Sequence, residues 1–124
     1  MVHHVLLSIA SNRYQKKNLS KARRCLEEIL SDATYTAERW TTPVGGASRS
    51  DAYLNQLVRA ATSLDATALN ERLKAIEQNF GRTPQKRQMG IVPIDLDILS
   101  FDGHRQHLAD WERPYVKLLL AELP

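Results

Sequence analysis

Pro93-Ile94-Asp95-Leu96-Asp97-Ile98-Leu99 is the stretch whose reading decides the fold. Apolar Ile94, Leu96 and Ile98 alternate with acids, which is the two-residue period of a strand with one buried face. In that conformation Asp95 and Asp97 share the opposite face, with Cα atoms roughly 6.5–7 Å apart. Aspartate is depleted in strands, and two adjacent carboxylates oppose each other's ionisation. A bound cation relieves that conflict. Mg²⁺ suits it, because this ion takes one or two carboxylates and fills its shell with water and substrate phosphate. The alternative is a pair of solvated acids on an exposed sheet face.

The neighbouring segments extend the pattern. The strand runs from Ile94 to Phe101 and stops at Asp102-Gly103. Before it, residues 82–93 read as a loop with Pro84 and Pro93 near its ends and Arg82, Lys86 and Arg87 within it. Leu69, Leu73, Ile76 and Phe80 recur at helical spacing, with Asp65 or Thr67 as the N-cap and Gly81 as the left-handed stop. Tyr53 to Thr62 reads as a strand with Leu54, Val58 and Ala60 on one face and Tyr53, Asn55 and Leu57 on the other. Thr42 to Ser48 is a loop punctuated by Pro43, Gly45 and Gly46, and Thr34 to Thr42 is extended. Asn18 to Leu30 is a helix with Leu19, Ala22, Leu26, Ile29 and Leu30 on its apolar face, and His4 to Ile9 is the first strand. Glu112 to Leu123 closes the chain as a helix, with Pro114 in its first turn. The order β-α-β-β-α-β plus a terminal helix predicts an α+β, ferredoxin-like antiparallel sheet with helices on one face.

A chain of 124 residues predicts one domain, residues 1–124. The single cysteine, Cys25, excludes an internal disulfide and a cysteine-rich zinc site and fits a reducing compartment. The apolar run near the N-terminus is too short to span a bilayer and lacks signal-peptide order, so the expectation is a cytoplasmic protein with no membrane partner. A net charge of +3 suits phosphate-bearing small molecules and is too small to point to nucleic acid. Tyr53 alone does not make the aromatic platform of an RNA-recognition sheet. Arg82 directly follows the helix stop, which fixes an arginine fork suited to phosphate oxygens. Tyr53 can stack a flat heterocycle while Asn55 bonds its edge. Each of these features also has a plain structural reading, as solubilising charge or core.

Taken in order, the motifs resemble those of the 6-hydroxymethyl-7,8-dihydropterin pyrophosphokinase family over nearly the whole chain. Ala10-Ser11-Asn12 is similar to the end of that family's first strand, and Thr42-Pro43-Val44-Gly45 to its Thr-Pro-Pro-x-Gly loop. Tyr53-Leu54-Asn55, Ile76-Glu77 with Gly81-Arg82, and Pro93 to Ile98 match further motifs, the last resembling Arg-x-Leu-Asp-Leu-Asp. His107, Arg113 and Tyr115 resemble the family's His…Arg-x-Phe segment. The resemblance implies Mg²⁺-dependent transfer of pyrophosphate from ATP to a pterin hydroxymethyl group. Asp95 and Asp97 would hold two Mg²⁺ ions, and with Arg82 they form the catalytic set. Pro43, Val44, Tyr53, Asn55 and Tyr115 would bind the pterin. Glu77, Arg82, Arg87, His107 and Arg113 would bind ATP, and the protein would act as a monomer. Gln88, Met89 and Val92 stand where the family supplies Arg, Trp and Arg. A pterin- or nucleotide-binding homologue without transfer is therefore the alternative.

Overall fold

In the computed structural model, residues 1–42 and 52–124 are described, and Pro43 and Val44 lie outside them. The elements are β1 (His3–Ser11), α1 (Gln15–Leu26), β2 (Ser31–Tyr35), β3 (Arg39–Thr41), β4 (Tyr53–Thr62), α2 (Ala66–Asn79), α3 (Pro84–Gln88), β5 (Asp95–Phe101), β6 (His104–Arg105), α4 (Leu108–Trp111) and α5 (Pro114–Leu120). The fold is α+β. Its six strands form one antiparallel sheet in the order β2-β4-β1-β5-β6, and β3 also pairs with β4. The expected neighbours are in place, with β1 between β4 and β5.

One face of the central strands β1, β4 and β5 is covered. Val5, Leu7, Ile9, Leu54, Val58, Leu96 and Ile98 are buried there against Leu19, Ala22 and Leu26 of α1 and Leu69 and Leu73 of α2. Asp65 is the N-cap of α2, its carboxylate accepting from the Ala68 N–H at 2.8 Å. Gly81, at φ +81°, ends that helix in the left-handed region.

The other face is divided along its length. At one end Leu6, Leu57 and Leu99 pack under Val116, Leu119 and Leu123 of the C-terminal segment. At the other end the same face continues as Ser8 and Ala10 on β1, Asn55 on β4, and Asp95 and Asp97 on β5. Helices thus cover both faces, and the C-terminal helix closes only the apolar half of the second.

Four expected boundaries are corrected. The strand expected over Thr34–Thr42 is two strands broken at Thr36, where the Thr36 hydroxyl accepts from the Leu57 N–H at 3.0 Å in place of a ladder carbonyl. The loop expected over residues 82–93 contains α3, capped by Thr83, whose hydroxyl accepts from the Lys86 N–H at 3.1 Å. The first helix spans Gln15–Leu26 rather than Asn18–Leu30, because it starts at a left-handed Tyr14 and relaxes into turns after Leu26. The closing helix is α5, Pro114–Leu120, with α4 standing separately before it. No described helix is long and apolar enough to cross a membrane.

Candidate active site

The open half of the second sheet face forms the floor of a cavity of about 250 Å³. Register explains its shape. Ala10 on the central strand is opposite Asn55 of β4 and Asp95 of β5, while Ser8 is opposite Leu57 and Asp97. The two smallest side chains of the face therefore sit between the longer ones, and the missing volume is the cavity. Tyr53, Thr41, Thr42, Arg113, Asp110 and Tyr115 form its walls. Burial raises the pKa of both Tyr53 and Tyr115, so their rings stand in the site as neutral phenols. Asn55 is buried, and its Nδ2 donates to Arg39 O at 3.1 Å and Thr41 Oγ1 at 2.9 Å. These bonds fix the plane of the amide.

Asp95 and Asp97 share this face, as the strand period requires. Asp97 is pushed up to about 6, first by burial and then by the charge of Asp95, with Lys74 pulling the other way. Arg82 donates to Asp95 Oδ1 at 2.9 Å and sits 2.9 Å from Glu77 Oε2. Lys74 Nζ lies 3.3 Å from the same Glu77 oxygen and 3.7 Å from Asp97 Oδ1. His107 Nε2 approaches that Asp97 oxygen at 3.9 Å.

Glu77 is buried, and burial raises its pKa. Its Oε2 also accepts from the Leu96 N–H at 2.8 Å, on the edge of β5 that β6 does not reach. It ties α2 to the acidic strand and holds Lys74 and Arg82 side by side. Two carboxylates on one strand face, Asp95 beside Arg82 and Asp97 beside Lys74, form a hard-oxygen donor set that fits a small divalent ion. No group of three or more His, Cys, Asp or Glu capable of holding a metal occurs among the described residues. The protein side of such a shell is therefore these two acids.

A second cavity, of about 360 Å³, opens beyond the edge of β5 beside the end of α2. Lys74, Gln78, Arg82, Thr83 and Arg87 line it with Glu77. The Arg82–Asp95 pair links the two cavities. Of the residues expected at the site, Asp95, Asp97, Tyr53, Asn55, Arg113 and Tyr115 meet at the first cavity, and Glu77, Arg82 and Arg87 meet at the second. His107 touches the junction through Asp97 while held in the left-handed region at φ +51°. Arg113 turns to Asp110, at 3.1 Å.

Sequence reasoning missed Lys74, whose signal was its position one helical turn before Glu77, on the same face. It also missed the clamp made by Asn12. That side chain donates to Gly90 O and accepts from the Val92 N–H, both at 2.6 Å, and its own N–H donates to Val92 O at 3.0 Å. The segment leading into Asp95 is thereby fixed to the end of β1.

Residues 6–124 match the family described as 7,8-dihydro-6-hydroxymethylpterin-pyrophosphokinase. The chain is 28% identical over 128 residues to the folate synthesis bifunctional protein of Arabidopsis thaliana, covering 96% of this chain and 26% of that protein. It is 31% identical over 128 residues to the mitochondrial folate synthesis bifunctional protein of Pisum sativum, covering 96% and 25%. The chain spans about a quarter of the length of these curated relatives. With the family match running over nearly all of its residues, this chain belongs to the 7,8-dihydro-6-hydroxymethylpterin-pyrophosphokinase family.

Proposed function

We propose that this chain transfers the terminal pyrophosphoryl group of ATP to the hydroxymethyl oxygen of 6-hydroxymethyl-7,8-dihydropterin. One observation carries the reading: the two acids of β5 lie on the floor of an aromatic-walled cavity, and Arg82 ties Asp95 to the basic cavity beside it. The flat acceptor lies over Ser8 and Ala10, between the rings of Tyr53 and Tyr115. The Asn55 amide, anchored through Nδ2, offers its Oδ1 to a ring N–H. The ATP phosphates lie toward Arg82 and Arg87 beside Glu77, with His107 reaching in through Asp97; Arg113, expected with ATP, stands in the wall of the acceptor cavity.

The acceptor oxygen attacks the β-phosphorus. The bond between that phosphorus and the oxygen bridging it to the α-phosphate breaks, AMP leaves, and the hydroxyl proton passes to water. Asp95 and Asp97 would hold Mg²⁺, two ions on this reading, which supply charge neutralisation for the phosphates. Arg82 fixes Asp95 and presents its remaining N–H groups to phosphate. Such a transfer needs positioning and electrostatic stabilisation rather than a covalent catalyst. A monomer in the cytoplasm completes the proposal.

Incubation with ATP, Mg²⁺ and the hydroxymethyl pterin should release AMP and the pterin pyrophosphate, and Asp97→Ala should abolish both. Full activity in that variant would remove the two acids from the mechanism. Binding without transfer is the second reading. It rests on exposed Met89, with Gln88 and Val92 beside it, where the family loop carries an aromatic and two arginines. Calorimetry showing pterin binding, with no Mg²⁺-dependent ATP binding, would favour it.

A further inference from the structure

Arg82 and Lys74 each sit on one acid of β5, but they are held very differently. Arg82 makes two contacts of 2.9 Å, to Asp95 and Glu77, and reaches Ile94 O at 3.5 Å. Lys74 makes only long contacts: 3.3 Å to Glu77 Oε2, 3.4 Å to Leu96 O and 3.7 Å to Asp97 Oδ1. Its side chain is 44% exposed, against 26% for Arg82. A guanidinium gripped by two carboxylates is fixed. An ammonium on a four-carbon stem with loose contacts can rotate at small cost. Lys74 lines the basic cavity with Arg82, Thr83 and Arg87, so its alternative partners lie in that cavity.

Asp97 Oδ1 faces Lys74 Nζ at 3.7 Å and His107 Nε2 at 3.9 Å. A divalent ion bound there and an ammonium 3.7 Å away repel each other, so one must leave. Anionic phosphates in the adjoining cavity supply a place for the ammonium to go. We propose that Lys74 is a positioning cation that competes with the metal for Asp97 and moves to the nucleotide phosphates, so that metal and nucleotide bind together rather than separately. This rests on the pyrophosphokinase reading of the same site. It assigns Lys74 part of the phosphate charge that Gln88 and Val92 do not carry.

Lys74→Met separates this role from a structural one, because it should move two affinities in opposite directions. Mn²⁺ titrated alone and followed by electron paramagnetic resonance should bind roughly five- to tenfold tighter, since a repelling unit charge close to the ion is gone. Calorimetry with a non-hydrolysable ATP analogue and Mg²⁺ should show roughly tenfold weaker binding, from one lost charge-assisted contact. Lys74→Arg should bring both affinities back toward wild type. Unchanged Mn²⁺ affinity in Lys74→Met, or a fall in both affinities, overturns the inference while leaving a wild-type protein that turns over ATP. A wild-type protein that binds no Mg²⁺–nucleotide overturns the proposed function and the inference together.

Discussion

Asp97 is a carboxylate that the fold keeps from ionising at its ordinary pH. Its pKa stands at about 6 in the folded chain against 3.8 for the free side chain, because burial and the adjacent Asp95 both oppose its charge. The folded protein therefore holds this proton more tightly than the unfolded chain does. The stability linked to it is complete below pH 3.8 and is lost as pH rises through about 6. Burial raises Glu77 as well, so the two acids act in the same direction. Thermal unfolding in chelator should show lower stability at pH 7.5 than at pH 5, by about 1–1.5 kcal/mol from Asp97. Asp97→Asn should flatten most of that slope. Since a metal needs the ionised carboxylate, Mg²⁺ with nucleotide should stabilise the protein more at pH 7.5 than at pH 5.5. A profile in which Asp97→Asn keeps the wild-type slope would assign the effect to another acid.

At the scale of elements, the site depends on how three segments are anchored. The turn before β5 has little apolar burial of its own, with Met89 and Gly90 exposed, and Asn12 holds it through both ends of one amide. Asn12→Ala leaves Gly90 O and Val92 N without their side-chain partner. It should cost about 1–3 kcal/mol and speed hydrogen exchange over residues 89–92 while leaving α1 protected. Leu119 of α5 is 1% exposed over Leu6, Leu57 and Leu99. Leu119→Ala should cost about 2–5 kcal/mol in denaturant unfolding, from lost burial and the void left behind. A cost below 1 kcal/mol would show that α5 does not close that face.

These elements also mark how far the sequence could be read. The alternation around Asp95 and the pattern Tyr53, Asn55, Leu57 follow from period alone, and both strands carry their side chains on the expected faces. The break at Thr36 depends on one hydroxyl reaching a backbone N–H more than twenty residues away, which local composition does not encode. Thr83-Pro84 is a legible helix start, a capping residue followed by proline at the first helical position. Read as loop punctuation, it concealed α3. Lys74 was legible only as helix surface, because its role depends on α2 packing against β5.

For the whole molecule, the open half of one sheet face and the free edge of β5 carry binding regions of different charge. The first cavity pairs Arg113 with Asp110 and is otherwise walled by neutral side chains around Asp95 and Asp97. The second gathers Lys74, Arg82 and Arg87 around a single carboxylate. The chain as a whole adds only +3, so long-range attraction for an anion is weak and local charge dominates. Added salt screens charges that lie near solvent, with a Debye length of about 10 Å at 0.1 M falling to about 3 Å at 1 M. Lys74 and Arg82 are partly exposed and lie within that regime. Mg²⁺–nucleotide affinity should therefore fall by roughly tenfold between 50 mM and 500 mM KCl, whereas affinity for the uncharged pterin should change less than twofold. Calorimetry on each ligand separately tests this. Equal salt sensitivity for the two ligands would mean that they share one charged surface, and the assignment of acceptor and nucleotide to separate cavities would fail.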